Sequence, residues 1–120
     1  MPIKTSSGKA KGRKLQQHTA KAIAEALDLS PDDIVSRSMG SAGTDLLMSP
    51  KAQETFPVSV ECKNTKKFPS LAALEQSRAN HYKDTIPAVV WKPFNKGMDK
   101  SIIYFDLNEF IEWWQENGRF

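Results

Sequence analysis

The chain has one cysteine, Cys62, only two histidines, His18 and His81, and no acidic side chain before Glu25. A lone cysteine excludes an intramolecular disulfide and suits a reducing, cytoplasmic setting. One cysteine and two histidines far apart in sequence leave no zinc-type spacing. No apolar run is long enough for a membrane span, and the basic, polar N-terminus lacks the form of a signal peptide. Small-residue and polar segments interrupt the chain often, and no internal repeat is present.

What remains is the composition of a globular protein. In 120 residues, 39% are hydrophobic and 26% charged, enough for one domain with a core of its own. The net charge of +3 is unevenly spread. Residues 1–24 carry Lys4, Lys9, Lys11, Arg13, Lys14 and Lys21, while the remainder holds 11 basic and 14 acidic side chains. A basic N-terminal end on a mildly acidic body suits a polyanionic partner, and neither a membrane nor a small-molecule cofactor is expected. The expected organisation is a flexible basic arm over 1–10 and a single domain over 11–120.

The apolar spacing predicts a helix over 11–27 with Leu15, Thr19, Ala22, Ile23 and Ala26 on its inner stripe. Strands are expected over 34–38 and 44–48, separated by the small-residue turn Met39-Gly40-Ser41-Ala42-Gly43. Ser49-Pro50 reads as the cap and first residue of a short helical turn. A strand over 57–63 follows, then a basic loop and a helix from Ser70 to about Lys83 with Leu71, Leu74 and Ala79 inward. Strands over 86–91 and 101–105 and a final helix capped by Asp106 or Asn108 complete the chain. The inner face of that last helix is read as Leu107, Phe110, Ile111 and Trp114, which leaves Trp113 outside it as a hint of a subunit interface. The order α-β-β-β-α-β-β-α argues an α/β (α+β) fold with a central mixed sheet flanked by helices.

Two short pieces carry chemistry. In Pro57-Val58-Ser59-Val60-Glu61-Cys62-Lys63 the strand period puts Val58, Val60 and Cys62 on one face and Ser59, Glu61 and Lys63 on the other. An acid and a lysine therefore project together, and Asp45, after the Gly43-Thr44 turn, can join them. Two carboxylates can hold a hard divalent cation, and a lysine beside them can steady a water. By spacing alone this trio is as well explained by a solvated strand face with an ordinary Glu–Lys pair. Cys62, alternating inward, reads as a small buried hydrophobe.

With the element order added, the chain resembles the PD-(D/E)xK nuclease superfamily, and within it the archaeal-type Holliday-junction resolvases and related small phage nucleases. The residues carrying the resemblance are Lys11-Gly12, Arg37-Ser38-Met39-Gly40-Ser41, Gly43-Thr44-Asp45 and Glu61-Cys62-Lys63, with the following helix and the apolar strand at 87–91. The resemblance implies a restriction-endonuclease-like core and a DNA endonuclease dependent on Mg²⁺ or Mn²⁺, structure-selective for branched or duplex DNA and acting as a homodimer. It assigns metal binding to Asp45, Glu61 and the Cys62 backbone carbonyl, and catalysis to Lys63. Arg37, Ser38 and Ser41 would contact phosphate, with Lys11, Arg13, Lys14, Lys66 and Lys67 gripping the backbone. Gln76, in the helix after the lysine strand, occupies a position where several nuclease families place a site glutamine. Two departures stand out. Thr44 replaces a frequent proline. Gln16, with Gln17 as its neighbour in register, stands where the resolvases carry a glutamate. Other readings of the same residues are a nuclease for linear, nicked or single-stranded DNA, an inactive DNA-binding module, or a small RNA-contacting protein, although the last lacks the aromatic-rich strands of common single-strand binders.

Overall fold

The computed structural model describes residues 3–38 and 43–118, with side chains from Gly8 onward. The elements in chain order are α1 (Ile3–Ala26), β1 (Ile34–Ser36), β2 (Leu46–Met48), α2 (Pro50–Thr55), β3 (Val58–Lys63), α3 (Ser70–Asn80), β4 (Ile86–Trp91), a 3₁₀ turn (Met98–Lys100), β5 (Ile102–Tyr104) and α4 (Leu107–Asn117). The mixed α/β class and the order of elements agree with the sequence. The backbone of the basic segment expected as an arm is helical from Ile3 and continuous with α1.

The strands do not form one central sheet. β3, β4 and β5 make a mixed three-stranded sheet, with β3 parallel to β4 from Val58↔Ile86 to Lys63↔Trp91 and β5 antiparallel to β4. β1 and β2 form a separate antiparallel pair, Ile34 opposite Met48. The expected central sheet breaks between β2 and β3. There the Asp45 carboxylate, instead of a backbone carbonyl, accepts the Cys62 N–H at 2.7 Å. A side chain thus takes the ladder's place just before β2.

β3 and β4 are buried on both faces, as expected for a parallel pair joined by a crossover helix. On one face, Val58, Val60, Cys62, Ile86, Ala88 and Val90 meet Leu15, Ala20 and Ala24 of α1 together with Ile34, Leu46 and Met48. On the other, Val89 meets Ala73 and Leu74 of α3, with Tyr104 beside them. Each fully buried aliphatic side chain here contributes about 1.5–3 kcal/mol relative to exposure.

Three helix faces differ from the sequence expectation. In α1 the buried residues are Leu15, Gln16, Thr19, Ala20 and Ala24, while Ala22 and Ala26 face solvent. In α3, Leu74 is inward but Leu71 is 74% exposed and Ala79 is also exposed; Ala73 and Ser77 replace them. Close approach decides this. The Ser77 hydroxyl donates to the Ser59 carbonyl at 3.2 Å and accepts from the Ala88 N–H at 3.1 Å, which requires small side chains at the contact. In α4, Asp106 caps the helix through the Glu109 N–H, and Phe110 and Trp113 turn inward. Trp113 is therefore not the exposed tryptophan: its indole N–H donates to the Pro57 carbonyl at 2.8 Å. Leu107, Ile111 and Trp114 form the exposed stripe instead. Among the described residues no helix is long and apolar enough to cross a membrane.

Candidate active site

β3 delivers Glu61 and Lys63 to the face covered by α3, as the alternation requires. Glu61 is only 4% exposed. Lys63 Nζ lies 3.7 Å from Glu61 Oε2 and donates to Gln76 Oε1 at 3.0 Å. Gln76 is held there because α3 is pinned to β3 by a buried polar network. Ser59 Oγ lies 2.6 Å from Thr85 Oγ1 and accepts the Tyr82 N–H at 2.9 Å, and Ser77 completes the set. Ser59, Ser77, Tyr82 and Thr85 were not singled out from the sequence. The signal for Ser59 was available, since it shares the strand face of Glu61 and Lys63.

Asp45 enters from the other side of β3. The Lys63 carbonyl accepts from the Lys92 N–H and the Pro57 carbonyl from the Ile86 N–H, so the odd-numbered positions of this strand bond toward β4. Along an extended chain successive backbone groups alternate in direction, so the N–H and C=O of Cys62 both face away from β4. That is the side on which Asp45 bonds the Cys62 N–H. The Cys62 carbonyl and the two carboxylates are thereby gathered at one end of the strand. The Cys62 thiol lies on the opposite face, 3.9 Å from Thr19 Oγ1, where burial pushes its pKa well up and makes it inert.

The electrostatics are those of two acids with too little positive charge. Burial, and then the Asp45 charge, lift the Glu61 carboxyl to about 7, with Lys63 opposing. Asp45 is also raised, first by burial, against the Cys62 N–H and the Lys63 charge. Near neutral pH the pair gains from any cation that enters.

Gln16 lies between two points where α1 touches the end of β3: the Lys11 carbonyl accepts from Asn64 Nδ2 at 3.2 Å, and Thr19 abuts Cys62. Gln16 is 4% exposed, and its Oε1 has no hydrogen-bond partner among the described residues. Gln17 is exposed, so Gln16 is the residue of the two that faces the interior. A buried acceptor without a donor is costly unless something supplies one, and a water of hydration would do so. The oxygens of Asp45, Glu61 and Cys62 form a hard donor set, and Gln16 Oε1 is a buried acceptor on α1, which packs on the same strand. Among the described residues no group of three or more His, Cys, Asp or Glu side chains could hold a metal. A two-carboxylate set nonetheless fits Mg²⁺, which commonly takes one or two carboxylates and completes its shell with water and substrate phosphate.

The remaining candidates divide. Arg37 reaches across to the segment before β2: its Nε donates to the Thr44 carbonyl and its N–H to the Asp45 carbonyl at 2.8 Å. It braces the Asp45 backbone as well as carrying charge near it. Ser38 is exposed beside it, and Ser41 lies outside the described residues. Gly43 has φ 111°, and a Cβ there would lie 2.8 Å from the Arg37 guanidinium. Gly43→Ala should therefore cost about 1–2 kcal/mol and shift Arg37, read as a lower urea midpoint. Lys67 lines a hollow with Lys63 and Gln76, while Lys11, Lys14 and Lys66 line a neighbouring cleft. Arg13 is exposed and lines neither. His18 and His81 are both exposed, and His81 Nδ1 is 3.0 Å from the Thr85 carbonyl.

No protein-family model, curated protein or solved structure matches this chain.

Proposed function

We propose that the chain is a divalent-metal-dependent DNA endonuclease with a restriction-endonuclease-like core, structure-selective in the manner of Holliday-junction resolvases. The observation that carries this reading is the meeting of Asp45, Glu61, Lys63 and Gln76 at one strand end, with both carboxylates drawn out of solvent. Asp45, Glu61, the Cys62 carbonyl and Gln16 would hold Mg²⁺ or Mn²⁺. Such an ion supplies Lewis acidity and lowers the pKa of a water. Lys63, held between Glu61 and Gln76, orients the attacking water and offsets charge that develops on the phosphate. Gln76 restrains the lysine, and α3 excludes solvent from the Glu61 side. Arg37, Ser38 and the lysines around the site grip phosphates without reading bases. A homodimer belongs to this proposal through the resemblance, with the exposed Leu107–Ile111–Trp114 stripe as its place of contact.

The test is a cleavage panel of a four-way junction, matched duplex, flap and single strand, each with Mg²⁺, Mn²⁺ or EDTA. Cutting that needs the ion and is fastest on the junction is expected. A protein that cuts none of the four with either ion sinks the proposal. Preference for a linear or single-stranded substrate would keep the chemistry and move the substrate. A second reading, a DNA-binding module without catalysis, is favoured by Gln16 standing where a third carboxylate is expected. Calorimetry that finds no Mn²⁺ binding at millimolar concentration, with DNA binding intact, would select it.

A further inference from the structure

Beside the Lys63 hollow lies a second cleft, of about 480 Å³, lined by Lys11 and Lys14 of α1, Lys66 of the loop after β3, and Lys92 and Phe94 of the turn after β4. Among the described residues no acidic side chain lines it. Thr65 belongs to both hollows, so the cleft begins where the candidate active site ends. Four ammonium groups brought together from three separate segments repel one another, and nothing in the lining offsets them. A polyanion would.

Phe94 distinguishes this cleft from a plain phosphate groove. The side chain is 54% exposed, and the Lys66 Nζ rides 5.0 Å from the ring centroid. Packing accounts for the other exposed phenylalanine near the site: Phe68 lies 5.2 Å from the Trp91 ring and 4.9 Å from the Tyr104 ring. Phe94 makes no ring–ring contact among the described residues. An aromatic face flanked by ammonium groups suits an unpaired base with its phosphates. The bases of a duplex have their faces covered by neighbours and cannot use it.

We propose that this cleft binds single-stranded DNA leaving the cut site, with Phe94 as the stacking platform and Lys11, Lys14, Lys66 and Lys92 as phosphate partners. The substrate is then a branched duplex whose strands part next to the scissile phosphate, as at a junction that opens at its crossover. This deepens the nuclease reading and rests on it for the position of the cut, but its test needs no cleavage.

The experiment measures fluorescence anisotropy of the full chain in EDTA, with a labelled oligothymidylate and with a blunt duplex. Phe94→Ala should weaken oligothymidylate binding about fivefold or more, leave duplex binding within about twofold, and be rescued by Phe94→Trp. Lys92→Gln should reduce the slope of log affinity against log salt by about 0.7 for the single strand. The inference is overturned if Phe94→Ala binds oligothymidylate like the wild type, or loses both ligands equally. It is also overturned if the wild type binds no single strand. A wild type that still cuts DNA in any of these cases leaves the nuclease reading standing, whereas one that binds the single strand but never cuts removes that reading alone.

Discussion

Lys63→Ala should lower DNA cleavage by at least about 10²-fold while changing DNA affinity less than about threefold. The size follows from what the ammonium does. It is a positioned charge at a partly dry site, and removing one such donor from developing charge commonly costs 10²–10³ in rate. Affinity is spared because one lysine among many is a small part of backbone binding. The same substitution deprives Asp45 and Glu61 of their nearest opposing charge, so it should also lower Tm in EDTA at pH 8, with Mg²⁺ restoring part of the loss. Lys63→Arg tests geometry against charge: a guanidinium keeps the sign but not the compact contact with Gln76 Oε1, and cleavage should stay low. Turnover of Lys63→Ala at the wild-type rate would remove Lys63 from the chemistry and, with it, the proposed role of the β3 end.

Glu61→Gln should abolish cleavage and yet make the metal-free protein more stable at pH 8. The Glu61 carboxyl sits near 7 in the fold against an ordinary 4.5, so the folded protein holds a proton that the unfolded chain has released. Its contribution to stability is fully present below about 4.5 and is lost as pH rises through about 7. Above that, the native state carries a buried charge at a cost on the order of 3 kcal/mol. Glutamine cannot ionise and escapes the cost, so its Tm should exceed the wild type's by several degrees at pH 8 and by little at pH 5. Millimolar Mn²⁺ should raise the wild-type Tm more at pH 8 than at pH 6, because the ligands must be deprotonated, and should barely move Glu61→Gln. A Glu61→Gln protein no more stable than wild type in EDTA at pH 8 would mean that the acid pair is already compensated within the fold.

The two predictions pull stability and activity in opposite directions. That is the usual consequence of placing like charges together where water is scarce. The Ser59–Thr85–Ser77 network bears on it as well. It offers no group to the substrate, but it sets α3 close enough to bury Glu61 and to hand Gln76 to Lys63.

Residues with local, period-driven behaviour could be read without a structure. The alternation of β3 is enough to put Glu61 and Lys63 together and Cys62 opposite, because a strand's side-chain period is fixed by its backbone. The Ser49-Pro50 start of α2 and the Asp106 cap of α4 follow from single-residue chemistry in the same way. Long-range decisions could not be read. Hydropathy favoured Leu71 and Ala79 as the inner face of α3, but a helix lying close on a sheet selects Ala73 and Ser77 by size and by the hydrogen bonds Ser77 makes. Trp113 looked exposed from its place off the Phe110–Trp114 stripe; the carbonyl of Pro57, distant in sequence, draws it in. At the break between β2 and β3 the Asp45 side chain bonds the Cys62 N–H, a contact between residues far apart in sequence. Lys11, Lys14 and Lys66 were expected to contact DNA, but their convergence with Lys92 and Phe94 arises only where three segments close around one cleft. By itself, then, the sequence determined the class of fold, the order of elements and the shared strand face of Glu61 and Lys63, since those depend on neighbours along the chain. Only the tertiary structure decided how deeply the acids are buried, what holds the lysine and where the basic groups converge, since burial and proximity arise between residues far apart in sequence.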